Sequence, residues 1–136
     1  EKIFKKNFPK SQHDNGTNNI TDLIKKSKIV LYTYFSTGIL ESLALNYPSI
    51  VVNDFCNSKF KKSAMINVQG LIDAKILHLN YDTACKHLIA INGDVENWWN
   101  SDTVQSAIEK YCYNYAKINF NKLNNLYDKF IKDIKS

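Results

Sequence analysis

Two short apolar runs lie on either side of an amphipathic segment in the first half of the chain. Residues 28–33 read KIVLYT and residues 49–53 read SIVVN, and neither run alternates apolar with polar positions. Unbroken apolar runs of this length predict parallel strands that are covered on both faces. Between them, apolar residues recur at the spacing of one helix face: Leu40, Leu43, Ala44 and Tyr47. Pro48 is expected to end this helix, so the pattern predicts a strand, a helix and a second strand.

The pattern continues with a second helix and a third strand. Residues 59–68 have helical spacing and precede Gly70, a residue type that often ends helices, and the run AKILHL at 74–79 predicts a strand. Residues 82–91 predict a further helix with these inward-facing residues: Ala84, Cys85, Leu88 and Ile89. Elements in the order βαβαβ predict an α/β fold with a Rossmann-like parallel sheet.

Polar sequence precedes this unit and helical signals follow it. A short helix is expected to begin at Thr21, whose side chain is suited to an N-cap. Further on, Asp94 and either Ser101 or Asp102 are expected to cap helices whose apolar positions continue to the end of the chain. We therefore divide the chain into a lead-in loop, a Rossmann-like portion and a helical C-terminal tail: residues 1–20, 21–93 and 94–136, respectively.

Composition and charge narrow the class of protein. The 136 residues are 44% apolar and carry a net charge of +5, and every basic residue is a lysine. Because base readout and bidentate phosphate contacts depend largely on arginine, we predict no nucleic-acid partner. No apolar run approaches the ~20 residues that span a membrane. We therefore predict no transmembrane segment and a cytoplasmic location, in the bulk cytoplasm or at the inner face of the membrane.

The three cysteines form no recognisable motif. Cys56, Cys85 and Cys112 are widely separated and have no metal-ligand spacing with the histidines. We expect them to be buried free thiols in a reducing compartment, and we predict no metal site. The sequence opens with Glu1 among polar residues, so we also expect a fragment of a longer protein.

The stretch YFSTGILE at residues 34–41 joins the first strand to the next helix. Ligands bind α/β proteins at this edge of the sheet, where a helix N-terminus offers unpaired N–H groups to phosphate. Ser36 and Thr37 supply hydroxyl groups, and Gly38 permits a close approach. Glu41 can accept hydrogen bonds from two ribose hydroxyls. The same residues could instead form a capping box, which satisfies the helix itself, and spacing alone leaves both interpretations open.

Two longer stretches resemble known proteins. YTYFSTGILESLALNYPSIVV resembles the donor-binding motif in the C-terminal domain of GT-B glycosyltransferases, with Asn46-Tyr47-Pro48 in place of the usual Gly-x-Pro. Residues 70–116, with their ILH segment and WWNSDTVQ, resemble the C-terminal part of the LIC12162 family, transferases of bacterial surface carbohydrate synthesis. The likeness spans about residues 20–118. It implies that the chain is part of a GT-B C-terminal domain.

The resemblance also implies roles for individual residues. The start of the helix would contact the diphosphate of a nucleotide-sugar donor through three residues: Ser36, Thr37 and Gly38. Glu41 would hold the ribose. Asn53 and Asp54 follow the second strand and would touch the donor sugar, with a loop or cap role for Asp54 as an equal alternative. Many such enzymes carry His-x-Gly upstream of the glutamate, but this chain has Thr33 and Phe35 there, so no imidazole contact to phosphate is expected.

The implied function is donor binding in a glycosyltransferase of surface polysaccharide synthesis, with the fragment inactive alone. A missing N-terminal domain would bind the glycan acceptor and supply the general base, so we assign no catalytic residue, and no cofactor beyond the nucleotide-sugar substrate. One alternative is a nucleotide-sugar 2-epimerase of the same fold. Another is a non-catalytic α/β interaction module that docks through Trp98, Trp99 and the C-terminal helices. His78 either reaches the donor or is a packed residue.

Overall fold

The computed structural model of the chain describes residues 6, 8–12, 14–54, 60 and 62–116. The predicted apolar positions beyond residue 116, together with Cys56, His13, Lys59 and Lys61, lie outside these ranges. The elements follow one another along the chain as α1 (Ile20–Lys26), β1 (Val30–Tyr32), α2 (Thr37–Ala44), β2 (Ser49–Val52), α3 (Lys62–Asp73), β3 (Leu77–His78), α4 (Tyr81–Ile91), α5 (Val95–Trp99) and α6 (Asp102–Tyr115).

The three strands form one parallel sheet in the order β1-β2-β3. Leu31 pairs with Ile50, and Val52 pairs with His78. All four residues of β2 are buried, which explains why this strand carries no polar alternation in the sequence. The predicted α/β fold with the order βαβαβ is therefore confirmed.

Helices α2, α3 and α6 build the core around this sheet. Ile39 and Leu43 of α2 are buried against residues of α3 and α6 that form the same apolar cluster: Val68, Leu71, Val104, Ile108 and Tyr111. The prediction for α2 was partly wrong, because Ala44 is exposed and Ile39 takes the inward position. The helices after residue 94 thus share a core with the sheet.

The end of α2 is set by Asn46 rather than by Pro48. Asn46 adopts the left-handed conformation, with φ of 55°. Its N–H donates to the carbonyl of Leu43 at 3.0 Å, and the N–H of Tyr47 donates to the carbonyl of Ser42 at 2.9 Å. This pair of bonds is the Schellman motif, which usually places glycine at the left-handed position and sometimes asparagine. Asn46 therefore performs the conformational role of the glycine in the Gly-x-Pro pattern.

Helix α3 also ends in a Schellman motif, with a lysine at the left-handed position. The helix continues past Gly70, contrary to the prediction, and ends at Asp73. Lys75 has φ of 58°, its N–H donates to Ile72 at 3.0 Å, and the N–H of Ile76 donates to Leu71 at 2.9 Å. The turns from α2 to β2 and from α3 to β3 thus each use a Schellman motif without glycine.

The adjacent tryptophans of α5 each bind one of these turns. Trp99 donates its indole N–H to the backbone and side-chain oxygens of Asn46. Trp98 donates its indole N–H to the carbonyl of Ala74 at 3.2 Å. Trp99 is 3% exposed, so it is the buried member of this pair. Gln105 adds to the junction, since its amide donates to the carbonyl of Trp99 at 2.7 Å.

Two local predictions need correction. Helix α1 is capped by Asn19, whose side chain accepts a hydrogen bond from the N–H of Thr21, so Thr21 lies inside the helix. In α4 the buried residues are Ala84, His87 and Ile91, whereas Cys85 is exposed and Ile89 is 77% exposed. The positions 84, 87, 88 and 91 follow helical spacing, and the prediction failed because it treated His87 as polar. The predicted caps at Asp94 and Ser101 are confirmed.

Candidate functional site

The predicted donor-binding residues lie beyond the carboxyl ends of β1 and β2. Residues 33–36 lead from β1 to the N-terminus of α2, and Asn53 and Asp54 follow β2. β1 and β2 are parallel neighbours in the sheet, and the carboxyl ends of parallel strands meet at one edge. The fold therefore brings both groups of residues to the edge at which open α/β sheets bind ligands.

The N-cap of α2 leaves its polar groups available. Ser36 has extended backbone angles and makes no side-chain hydrogen bond to the helix. By contrast, the N-caps of α1, α4 and α5 accept a first-turn N–H through their side chains. A capping box also requires an acidic or amide side chain at the third helical position, which is the buried Ile39. The capping-box interpretation is therefore wrong.

Ser101 of α6 provides an instructive comparison. It is also a serine N-cap without a side-chain bond to its helix. Its hydroxyl is nevertheless used, because it donates to the carbonyl of Trp98 at 2.8 Å. Within the described part of the chain, the hydroxyl of Ser36 makes no hydrogen bond.

Glu41 lies in the second turn of α2 and is exposed. The backbone carbonyl of Glu41 accepts the N–H of Leu45 at 3.0 Å. Its carboxylate, however, forms no hydrogen bond or ion pair with any other residue that the structure describes. The side chain thus does not stabilise its own helix start, and none of the described residues occupies its carboxylate.

Gly38 is required by a neighbouring side chain. A Cβ at this position would lie 3.0 Å from Cε1 of Tyr32 and 3.6 Å from Cζ. The phenol oxygen of Tyr32 lies 2.6 Å from the hydroxyl of Ser42, which is 1% exposed. The ring of Tyr32 therefore lies along one face of α2, from Gly38 to Ser42, and fixes this helix against β1. Gly38 was predicted to let a ligand approach closely, and in the structure the ring of Tyr32 makes such a close approach.

Phe35 anchors the loop that presents Ser36. Its ring makes edge contacts with Phe60 and Tyr111, with centroid distances of 5.5 Å and 6.2 Å. Burial raises the pKa of Tyr111 to about 12, with smaller contributions from Tyr115 and Cys112, so the phenol is neutral in the physiological pH range. Sequence reasoning considered Phe35 only as a departure from His-x-Gly. The apolar side chain of Phe35 was the sequence signal that this residue packs against the protein and so holds the loop.

Asn53 continues the sheet beyond β2. Its N–H donates to the carbonyl of His78 at 2.8 Å, and both Asn53 and Asp54 are half-buried. The backbone of Asn53 is thus fixed by β3, so its side chain leaves the sheet at a defined position.

His78 is a packed residue rather than an exposed one. It is 6% exposed, one ring nitrogen lies 2.9 Å from the carbonyl oxygen of Lys75, and the other lies 3.2 Å from the hydroxyl of Thr83. Burial lowers the pKa of His78, against the opposing effect of its bond to the Lys75 carbonyl, while the charge of Lys75 lowers it further. Both ring nitrogens have partners within the protein, which favours the structural interpretation of this histidine.

Other kinds of site find little support in the described residues. Within those ranges, no three His, Cys, Asp or Glu side chains converge as metal ligands do. None of the helices described there has both the length and the apolar character needed to cross a membrane. Trp98 lies with its ring 4.9 Å from that of His87, and both indole N–H groups of the tryptophan pair are used internally. Neither tryptophan therefore forms an open stacking platform for a sugar.

Comparison with known proteins gives one assignment. No curated protein and no solved structure matches the chain. The model of the LIC12162 family transferases matches residues 1–131, which is nearly the whole sequence. The chain therefore belongs to the LIC12162 family of transferases.

Proposed function

We propose that this chain forms the nucleotide-sugar binding portion of a GT-B-like glycosyltransferase that acts in surface polysaccharide synthesis. The transferase family of the chain is consistent with this reaction class. The observation that carries the proposal is the start of α2: Ser36 leaves its hydroxyl unused, and Glu41 presents a carboxylate that no described residue binds. Both lie on one helix at the ligand-binding edge of a parallel sheet.

The proposed roles follow from the chemistry of these groups. The N–H groups of the first turn, with the hydroxyls of Ser36 and Thr37, bind the donor diphosphate, and the positive end of the helix dipole favours its charge. Gly38 contributes backbone only. Glu41 binds the two ribose hydroxyls, while Asn53 and Asp54 contact the sugar. Negative charge increases on the diphosphate as the glycosidic bond breaks. N–H and hydroxyl groups that donate hydrogen bonds at this position therefore stabilise the transition state more than the ground state.

Calorimetric titration of the complete protein with UDP, GDP, CDP and CMP tests this proposal. We expect one nucleotide to bind, and Glu41→Gln to weaken it by about 10- to 100-fold, as expected for hydrogen bonds to a charged group. Ser36→Ala should weaken binding by about 3- to 10-fold. Glu109→Gln and Ser101→Ala are matched controls, since Glu109 is an exposed glutamate on α6 and Ser101 is the serine N-cap of that helix.

Gly38 is not a suitable position for this test, because a side chain there displaces Tyr32 and alters the helix itself. Absence of heat with every nucleotide would contradict the proposal, as would equal losses in the Glu41 and Glu109 variants. A nucleotide-sugar 2-epimerase would bind the same nucleotides, so the product formed from a bound nucleotide-sugar distinguishes it. Transfer to an acceptor supports our proposal, and epimerised donor contradicts it.

A further inference from the structure

A cleft lies beside β3 and adjoins the proposed donor site, since its lining includes His78, whose carbonyl accepts the N–H of Asn53. It has a volume of about 520 Å³, within the usual range for small-molecule sites, and is bordered by β3, the end of α3 and one face of α4. Apolar side chains form much of its lining: Ile72, Leu77, Leu79 and Ala90. None of the residues of the proposed donor site contributes to it. The cleft therefore offers an apolar surface built from residues other than those of the proposed donor site.

The polar lining of this cleft contains basic side chains in addition to the neutral Asn80 and Thr83. Lys75 and Lys86 border it together with His78 and His87, and no Asp or Glu occurs among the described residues that line it. The rings of His78 and His87 lie 5.5 Å apart. Burial lowers the pKa of His87 to about 4, and the charges of His78 and Lys75 lower it further. Burial thus favours the neutral imidazole at His87, and the formal positive charge of the cleft belongs to the two lysines.

The backbone of Lys75 adopts an unfavourable conformation. Its φ of 58° is unfavourable for a residue with a side chain by about 1–2 kcal/mol, and glycine is the usual residue at this position of a Schellman motif. The turn itself would form more easily with glycine. Strain retained at one residue is a reason to look for a role of its side chain, and this side chain borders the cleft.

His87 provides a further observation. It is 7% exposed, and its buried Nε2 has no hydrogen-bond partner among the described residues. Buried polar atoms without partners are uncommon and require an explanation. The ring of Trp98 covers one side of His87 at a centroid distance of 4.9 Å, and the cleft lies against the residue. The cleft therefore borders a histidine ring whose buried nitrogen is unsatisfied within the described residues.

We propose that this cleft binds a small soluble organic anion with an apolar or aromatic body. The body lies against Ile72, Leu79 and Ala90, and the anionic group faces Lys75 and Lys86. Such a molecule fits the size of the cleft, its apolar lining and its basic rim. A neutral apolar molecule would leave the lysines without a partner, and inorganic phosphate would leave the apolar lining uncovered.

Two fluorescent probes with the same aromatic body test the proposal. One is 8-anilinonaphthalene-1-sulfonate, and the other is N-phenyl-1-naphthylamine, which lacks the sulfonate. We expect saturable binding of the sulfonate at one site and binding at least about tenfold weaker for the neutral probe. In NMR titrations, the sulfonate should shift the ring resonances of His78 and His87 and raise the pKa of both.

The double variant Lys75→Gly/Lys86→Ala should reduce affinity for the sulfonate about tenfold and leave that for the neutral probe within twofold. Glycine at position 75 relieves the strained backbone, so loss of binding cannot be attributed to loss of the turn. Lys25→Ala/Lys26→Ala removes two exposed lysines of α1 and is the matched control. Equal affinity for both probes, unshifted histidine resonances, or an equal loss in the control variant would each overturn the proposal.

Discussion

Trp99 donates one indole N–H to two oxygens of Asn46, at 3.1 Å to the backbone carbonyl and 3.0 Å to the side-chain amide. The two residues are 53 positions apart in the sequence. Asn46 therefore performs two tasks, since it adopts the left-handed conformation that ends α2 and it accepts the bond that anchors α5. Glycine would keep the left-handed conformation and the backbone acceptor but lose the side-chain acceptor, and alanine would add left-handed strain to the same loss.

Replacement of Asn46 separates these two tasks. We expect Asn46→Gly to lower the free energy of unfolding by about 1 kcal/mol, because only a hydrogen bond is lost. Asn46→Ala should lower it by about 2–3 kcal/mol, because a strained left-handed residue is added to the same loss. Urea unfolding measures both values. Asn114→Ala, which removes an exposed side-chain bond to the carbonyl of Lys110, is the control, and equal losses for the two Asn46 variants would contradict the assignment.

Lys75→Gly is expected to stabilise the protein. The substitution removes the left-handed strain at the end of α3, which is worth about 1 kcal/mol or slightly more. Lys86→Gly is the matched substitution inside α4, where glycine costs about 1 kcal/mol. Thermal unfolding of the two variants should therefore shift the midpoint in opposite directions. A fall in both midpoints would show that the turn does not relax as expected.

Tyr32 and Ser42 should be energetically coupled, because their hydroxyl groups share a hydrogen bond. Tyr32→Phe removes the phenol and leaves the hydroxyl of Ser42, which is 1% exposed, without its partner, so we expect a loss of about 1–2 kcal/mol. In the double variant with Ser42→Ala, no buried polar group remains unpaired. The double variant should therefore be less destabilised than the sum of the single variants, by about 1 kcal/mol. Strict additivity in a double-mutant cycle would exclude the bond.

Acid should destabilise the protein through His87. The pKa of His87 is about 4 in the folded protein, mainly because of burial, against 6.5 in the unfolded chain. Between these values the unfolded chain binds a proton that the folded protein does not, so stability falls as pH decreases from about 6.5 to about 4. The contribution is at most about 3 kcal/mol, and His78 acts in the same direction.

His87→Leu should reduce this dependence. Urea unfolding at intervals between pH 4 and pH 7 gives the slope of stability against pH for the variant and the original protein. We expect a shallower slope in the variant, because leucine does not titrate and retains the apolar contact with Trp98. An unchanged slope would assign the acid sensitivity to other groups.

The order of strands and helices could be predicted because each element has its own apolar pattern. The core positions Ile50, Val51 and Val52 are contiguous in the sequence, and the helix starts at Asp94 and Ser101 carry residues that cap helices. Helix ends were harder to predict. Asn46 and Lys75 end their helices through backbone conformation. Nothing in the sequence indicates that the lysine adopts a left-handed φ.

The candidate site could be located from the sequence but not resolved in its details. The position of Ser36 and Glu41 at a helix start followed from the strand that precedes them. The sequence could not show that the ring of Tyr32 lies against Gly38, because that contact depends on how α2 packs on β1. The cleft beside β3 escaped prediction for a similar reason, since Lys75, His78 and His87 come from a turn, a strand and a helix, respectively.

The two tryptophan bonds of α5 have a mechanical consequence for the domain. Both bonded turns lie where helices return to strands, at the amino edge of the sheet, so one five-residue helix links them there. The two crossover units cannot slide past one another at that edge without breaking an indole bond. Ser36 and Asn53 lie at the opposite edge, so the bonds of α5 hold the base of the sheet, and the proposed ligand-binding edge is held by other contacts, such as those of the Phe35 ring.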